Sequence, residues 1–466
     1  MSSVPRPLSV PEKLAYGLGD FGANLIGQTQ ITFLLFFYTD VVSISAGAAG
    51  TILLVSRVLD AINDPIVGAL SDRTTSRWGR YRPWILGSAV PLAVALVLCY
   101  TVPDFGASAK VVWAVVTYNL LMILYAANNI PYCALSGVMT DDSTERTSLA
   151  SWRFVCAMAA ALAVNMFTLD LVKYFGRGAE ASGYQAAMVV WGAMAVICFA
   201  ITFAFTRERI EPSPQQQSSL RQDLSDMVHS GPWIALFLLA VLIHVQLALR
   251  GGTMLYYFTH YVRRQDPIWR FSPFGLFNGV GLVVVMIGVV LAKPLAKRFG
   301  KRNTIQVSLL LSAVFMALFA VVPRDALGPL FALQVLMQLS FGPSIPLLWT
   351  MMADVADYAE WKMNRRSTAL AFASIVFGLK LGSGIGGWLS GEWLDYVGYM
   401  PTGDQSPTAI RGIAATISVF PALALLMGCV VLFFYRIDDR LGQQIQQALR
   451  ERRSGGQSPA VSESDP

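Results

Sequence analysis

Apolar runs of about 20 residues or more, separated by polar turns, recur twelve times along the chain. They lie near residues 14–42, 48–71, 84–102, 110–138, 150–172, 185–206, 232–260, 273–296, 304–322, 327–352, 367–391 and 410–436. Runs of that length match helices that cross a hydrocarbon layer about 30 Å thick. A membrane barrel would be written as short alternating strands instead, and the sequence contains no such series. The first run is too long and too aromatic for a secretory leader, and no small-residue cleavage site follows it. The pattern predicts an all-α integral membrane protein with twelve transmembrane helices.

The pattern also has a centre. Residues 207–231 are polar, with Pro212, Pro214 and a run of three glutamines, and they join six runs to six. The expected organisation is a six-helix half over 1–206, a middle loop over 207–231 and a second half over 232–436. A tail follows over 437–466: residues 438–453 suit an amphipathic surface helix, and 454–466 have the composition of a disordered end. Arg77-Trp78-Gly79-Arg80 follows the second run, and Arg298-Phe299-Gly300-Lys301 follows the eighth, about half a chain later. Parallel halves of this kind are a transporter signature.

Composition and charge agree with this reading. The 466 residues are 55% hydrophobic and 14% charged, whereas soluble domains are about a quarter charged. Most of the Lys and Arg fall on the side that holds both termini, which makes that side cytoplasmic; Arg263, Arg264 and Arg270 are the exception. The net charge of +6 follows from this bias and calls for no nucleic-acid partner. Cys99, Cys133, Cys156, Cys198 and Cys429 show no paired spacing and read as reduced, buried small residues. Three histidines make no metal cluster, and His244 reads as a packed residue.

Chemistry enters where charge interrupts the apolar runs. The second run, TILLVSRVLDAINDPIVGAL over 51–70, carries Arg57, Asp60 and Asp64. Each charge at mid-bilayer costs roughly 2.5–3.5 kcal/mol on insertion scales. Spacing of four sets both acids on one helix face, with Asn63 beside it. Arg57 can neutralise one acid; the other calls for Lys380, Arg153, Na+ or a proton. Two acids and an amide are hard oxygen ligands, so Asp60 and Asp64 become metal ligands only if Na+ is the ion. Asn128 and Asn129 precede Pro131, where a freed carbonyl and two amides suit sugar hydroxyls, a cation or a neighbouring helix. Lys380 stands mid-run among glycines, and Arg153 opens the fifth run. Asn24, Gln28, Thr29 and Gln30 place amides and a hydroxyl on an aromatic-rich first run, groups that suit sugar hydroxyls or a neighbouring helix. Asp354, Asp357 and Glu360, followed by Lys362, Arg365 and Arg366, suit either a gate of changing salt bridges or a solvated turn.

Several strings together resemble the glycoside-pentoside-hexuronide:cation symporters, the melibiose-carrier-like branch of the major facilitator superfamily. They are YGLGDFG (16–22), FYTDVV (37–42), RVLDAINDPIVG (57–68), RWGRYRPW (77–84), NIPY (129–132), ADVADYAEWK (353–362) and Gly398-Tyr399. The resemblance runs from about Tyr16 to Arg440. It implies the major facilitator fold, in two pseudo-symmetric halves, and uptake of a sugar with Na+, Li+ or H+. It implies that Asp60 and Asp64 bind the cation, and that Asn24, Tyr125, Asn129, Arg153 and Lys380 line the sugar site. Melibiose carriers have acids where this chain has Asn24 and Asn129, a hydroxyl at Ala126 and a tryptophan at Cys133. The missing acid beside the cation site leaves H+ and Na+ both open. Fewer acids near Arg153 and Lys380 suggest a positive cavity and an anionic sugar such as a hexuronide.

The expected protein is therefore a cation-coupled sugar symporter, not an enzyme. It is expected to be monomeric in a bacterial inner membrane, with both termini cytoplasmic and no cofactor beyond the coupling ion H+ or Na+. Asp60, Asp64, Asn63 and Asn129 are expected at the cation. Asn24, Gln28, Tyr125, Asn128, Asn129, Arg153 and Lys380 are expected at the substrate, and Arg57, Asp354, Asp357, Glu360 and Arg365 in gating. A lipid or lysolipid carrier of the same superfamily is the near rival. A prenyltransferase using Asp60/Asp64 and Asp354/Asp357 with Mg2+ is the distant one, since its diphosphate site needs solvent access.

Overall fold

The computed structural model describes residues 8–140, 142–210, 230–262, 268, 272–363, 368–401 and 404–435, with scattered positions up to 451; at 143, 144, 363 and 368–374 only the backbone is described. Most of the middle loop, the loop with Arg263, Arg264 and Arg270, the tail beyond 451, and Arg365 and Arg366 lie outside the described residues.

The first half holds α1 (Val10–Phe36), α2 (Ala46–Asp72), α3 (Arg82–Cys99), α4 (Ala107–Met139), α5 (Ser143–Gly176) and α6 (Glu180–Phe205). The second holds α7 (Gly231–Tyr256), α8 (Pro273–Phe299), α9 (Lys301–Leu318), α10 (Leu327–Phe341), α11 (Ser344–Met363), α12 (Thr368–Tyr396), α13 (Pro407–Ile417) and α14 (Val419–Val431). Nine stretches among the described residues are long and apolar enough to cross a membrane. In two of these, α10 with α11 and α13 with α14 each form one broken span. Helices α1, α2 and α12 are as long, at 27, 27 and 29 residues, and carry more charged and polar residues. With them the halves contain six spans each.

Local sequence explains the helix starts and stops. Ser45, Ser272 and Ser406 cap α2, α8 and α13 by accepting the amides of Ala48, Gly275 and Ala409, and Pro273 and Pro407 follow in the first turn, where a missing N–H costs nothing. The basic repeat occupies matching turns in the two halves. Gly79 and Gly300 both have positive φ, 105° and 82°, a conformation that glycine adopts without strain. At the first turn the Glu208 carboxylate accepts the amides of Arg80, Tyr81 and Arg82 at 2.8, 2.8 and 3.1 Å, and a side chain on Gly79 would collide with it. The two halves match again where α1 and α7 end. Each ends in a π turn, Phe37–Val41 and Tyr257–Tyr261, and such turns mark functional positions.

One apolar core fills the first half and runs across the seam into the second through residues such as Tyr256, Phe274, Phe277 and Leu394, a second core lies wholly in the second half, and the halves meet along α2 with α12, α1 with α7, and α5 with α8. Helix α2 shows the division of its surface. Val55, Leu59, Ile62, Ile66 and Leu70 form an exposed apolar stripe, as a lipid-facing flank requires. Ser56, Asp60, Val67 and Ser71 are buried on the other side.

We call the side holding the α1–α2 turn the turn face, and the side holding the start of α1 the terminal face. Among the described residues, close glycine contacts between the halves lie from mid-bundle to the turn face. Gly50 and Gly391 bring the α2 and α12 backbones together, Gly251 meets Ile31, and Gly275 meets the carbonyls of Asn165 and Met166. The π turns add a polar latch. Tyr399 Oη donates to Asp40 Oδ1 at 2.5 Å and meets His260 Nε2 at 2.9 Å. Thr39 Oγ1 and Tyr256 Oη lie 2.6 Å apart. Asp395 accepts the amides of Ala46 and Gly47 at 3.1 and 2.7 Å. The turn face is thus sealed between the halves.

Candidate functional site

The acids of α2 find their partner on α12. Lys380 Nζ lies 2.8 Å from Asp60 Oδ2 and also hydrogen-bonds Asp64 Oδ2. Arg57 Nη1 stands 3.9 Å from Asp60 Oδ2. Two acids and two bases make a formally neutral cluster between the halves. Asp60 is 3% exposed, and a buried carboxylate requires such compensation. Asp60 Oδ1, Asp64 Oδ1 and Asn63 Nδ2 are buried without a hydrogen-bond partner, so the cluster keeps unused ligand capacity on its acids. Glycines allow the approach: Gly384 packs on Arg57 Cβ and Leu54, and Gly387 on Leu53.

A second ion pair links α1 and α5. Arg153 Nε lies 3.1 Å from Asp20 Oδ2, and its guanidinium stands 5.4 Å from the centre of the Tyr132 ring, itself stacked on Tyr16. Asn129 donates to Tyr125 Oη at 3.0 Å and accepts from Cys133 Sγ at 3.1 Å, so its bonds run along α4. Tyr125 Oη also faces Gly27 of α1. Asn24 donates to its own helix at Asp20 O, and Gln28 to Thr32.

Several expectations are corrected by this arrangement. Asn128 donates to Ile85 O at 3.1 Å and Ser88 Oγ at 2.9 Å. Its amide fastens α4 to α3 inside one half, the neighbouring-helix role among those open to it, because a buried amide takes the nearest acceptors. Asp354 pairs with Lys301 at 2.6 Å, a base within the second half that the sequence did not point to. Asp357 and Glu360 lie farther along the same helix. Arg57 stands beside Asp60, one of the two acids it was expected to neutralise. Arg153 and Lys380 are both neutralised by acids, so neither supports the positive cavity inferred from them. His244 lies against Gly382 and bonds Ala240 O, a packed residue as expected.

Sequence reasoning missed three groups. Asp20 sits inside the YGLGDFG string, yet no role was drawn from it. Asp40 and Tyr399 lie in quoted strings, FYTDVV and Gly398-Tyr399, but their latch role, and Asp395 itself, appear only through contacts between halves. Arg250 is a lone base in an apolar run, the same signal that singled out Lys380. It lines a cavity of about 330 Å3 between the halves, with Gln28, Asn165, Gln246, Asn278 and Gln338. A second cavity of about 160 Å3 holds Arg57, Gln30, Tyr118 and His244. Ile31 and Leu247 line both cavities.

Two six-span halves around buried, paired charges, sealed on one face, define a membrane transporter of the alternating-access kind. The chain belongs to the MFS/sugar transport protein family, whose model matches residues 15–439. It is 38% identical over 426 residues to the inner membrane symporter YicJ of Escherichia coli (strain K12), covering 91% of each chain. It is 33% identical to the isoprimeverose transporter of Lactiplantibacillus pentosus, covering 92% of this chain and 88% of that one. A bacterial homologue of the human lysosomal transporter Spinster, inward-facing and unoccupied, shares the fold with a TM-score of 0.65 at 14% identity, covering 97% of this chain and all of that one. The protein is a multi-pass transporter, not an enzyme.

Proposed function

We propose that the chain imports a sugar or glycoside together with H+ or Na+ across a bacterial inner membrane, as a monomer with both termini cytoplasmic and no cofactor. The observation that carries this is the cluster of Asp60, Asp64, Lys380 and Arg57 between the halves. Lys380 holds the place of a cation, and a coupling ion must compete with it for the two acids. Binding of the ion turns a neutral cluster positive and releases Lys380, whose ammonium is then free for substrate hydroxyls. The terminal face becomes the cytoplasmic one, so the sealed turn face is external and the structure is inward-facing. Ion and sugar then favour one another, and the coupling is reciprocal.

Of the expected cation ligands, Asp60 and Asp64 support the reading best, with Asn63 beside them. Asn129 is tied to Tyr125 and Cys133 and would have to exchange those bonds. On the sugar side, Tyr125, Asn129, Asn24 and Arg153 lie on α1, α4 and α5, and Lys380 lies opposite. The relatives' names, a symporter and a transporter of isoprimeverose, agree with this class of cargo. The test is uptake of a glycoside panel by proteoliposomes under separate Na+ and H+ gradients. Accumulation driven by one gradient is expected; equal uptake with no gradient would remove the coupling.

A further inference from the structure

Arg250 is unlike the other intramembrane bases. Arg153 has Asp20, Lys380 has Asp60 and Asp64, and Arg57 has Asp60. Among the described residues no carboxylate lies within ion-pair distance of Arg250, although it is 6% exposed. Its hydrogen bonds go to neutral acceptors, Ile417 O from Nη1 at 3.0 Å and Gln334 Oε1 from Nη2 at 2.6 Å. A guanidinium has five N–H donors, so those two bonds leave others to use. A lone charge in a membrane bundle is strongly unfavourable and marks a functional site by default.

The surroundings hold this base in one position. Its guanidinium lies 4.6 Å from the centre of the Phe319 ring, a cation–π distance. Gln334 is fixed in turn, because its Nε2 donates to Phe277 O and Gly281 leaves it the space. Around the base the cavity presents neutral amides from Gln28, Asn165, Gln246 and Asn278. Gln246 Oε1 is buried with no partner. Neutral amides suit hydroxyls, and only Arg250 brings charge. A volume of about 330 Å3 lies at the small end of ligand sites, which run from about 300 to 1,000 Å3; it accommodates one sugar unit.

We propose that Arg250 and Gln334 form an anion subsite that receives a carboxylate or sulfonate carried by the sugar, with the amides of Gln28 and Gln246 on its hydroxyls. This rests on the reading of the chain as a sugar transporter and adds the charge of the cargo. It replaces the argument from Arg153 and Lys380, whose charges are already balanced. The competing role for Arg250 is structural: it caps the carbonyl freed where α13 breaks from α14.

The test uses the purified full-length protein and its proteoliposomes. Binding of methyl glucuronide, of the matching sugar 6-sulfonate and of neutral methyl glucoside is measured by calorimetry, alongside gradient-driven uptake of each. Wild type is expected to prefer an anionic sugar over the glucoside by about tenfold or more, the scale of one charge-assisted hydrogen bond. The carboxylate and sulfonate arms say which anion fits. Arg250→Gln is expected to remove that preference. Arg250→Lys, which keeps the charge but loses the planar fork, is expected to reduce it severalfold and serves where Arg250→Gln fails to fold. Equal wild-type affinity for charged and neutral sugars overturns the proposal, as does an unchanged preference in a folded variant. Binding of acetate or chloride as tight as that of the uronide overturns it too, because the site then reads an inorganic or small anion only. If neutral glucoside is accumulated while uronide is refused, the subsite fails and the transporter reading stands. If no sugar is accumulated under any gradient, the transporter reading itself fails.

Discussion

Asp395 offers a direct handle on the turn-face seal. Its carboxylate, on α12 of the second half, accepts the Ala46 and Gly47 amides at the start of α2 in the first half, at 3.1 and 2.7 Å. These bonds exist only while the halves touch at that face. Hydrogen bonds to a charged group contribute about 1.5–3 kcal/mol each, and a charge at a helix N terminus adds about 0.3–1 kcal/mol. Asp395 is exposed, so water compensates for much of this. Asp395→Asn keeps one neutral acceptor and loses the charge. A net loss of about 1.5 kcal/mol follows, which is roughly tenfold in the ratio of sealed to open turn face.

The assay is labelling from the turn face by a membrane-impermeant maleimide. Leu35 is 2% exposed and touches Gly252 across the α1–α7 seam, so Leu35→Cys reports opening. It is placed in a background without the five native cysteines, all of which are free thiols. Asp395→Asn is expected to raise the labelling rate about tenfold. Gly391→Ala should act in the same direction, because its methyl would lie 2.2 Å from Ala46 O, an unyielding backbone atom. An unchanged or slower rate in both variants would refute the reasoning, since the bonds across the seam would then not hold the face closed.

Three further outcomes follow from the same geometry. Asp64→Asn is expected to abolish gradient-driven accumulation while leaving sugar exchange, measured by counterflow in proteoliposomes; full accumulation would remove Asp64 from the coupling. Asn128→Ala leaves Ser88 Oγ and Ile85 O without their donor, so it is expected to cost about 1–2 kcal/mol of stability, read as a lower melting temperature with sugar affinity unchanged; a weakened affinity at intact stability would return Asn128 to the binding site. Gly79→Ala puts a side chain at φ 105° and 2.4 Å from Glu208 Oε1, so it is expected to cost about 1–3 kcal/mol and to lower the melting temperature; an unchanged melting temperature would show that the turn relaxes.

The halves and the charge cluster were legible in the sequence because each leaves a local mark. Twelve apolar runs, a polar centre and a repeated basic turn describe two halves. Asp60 and Asp64 describe a face, since period and spacing fix it. The sequence could not say which base meets those acids, because α2 and α12 lie more than 300 residues apart in the chain and only packing brings them together. Asn128 stays ambiguous in the sequence for a related reason. Its neighbour Asn129 reads identically in the chain, and the helix turns the two amides toward different surroundings. Asp395 carries no signal at all, as an acid at a helix end reads as an ordinary surface charge until another helix starts beside it.

The identity of the coupling ion reduces to how many acids it needs. Lys380 already donates to one oxygen of each acid, and the other oxygen of each is unpartnered. A proton requires only one carboxylate and can leave Lys380 on the other. A sodium ion is a hard cation that gathers several oxygens, so it would draw on both acids and displace Lys380 from both. Asparagine imitates a protonated acid in charge and shape. Under proton coupling, the Asp64→Asn protein should resemble the loaded carrier, with high sugar affinity that no longer varies with pH. Under sodium coupling, the same protein loses a ligand, and its sugar affinity should be low and no longer respond to Na+. Sugar affinity of that one variant, measured across pH and across Na+ concentration, therefore separates the two ions without any gradient.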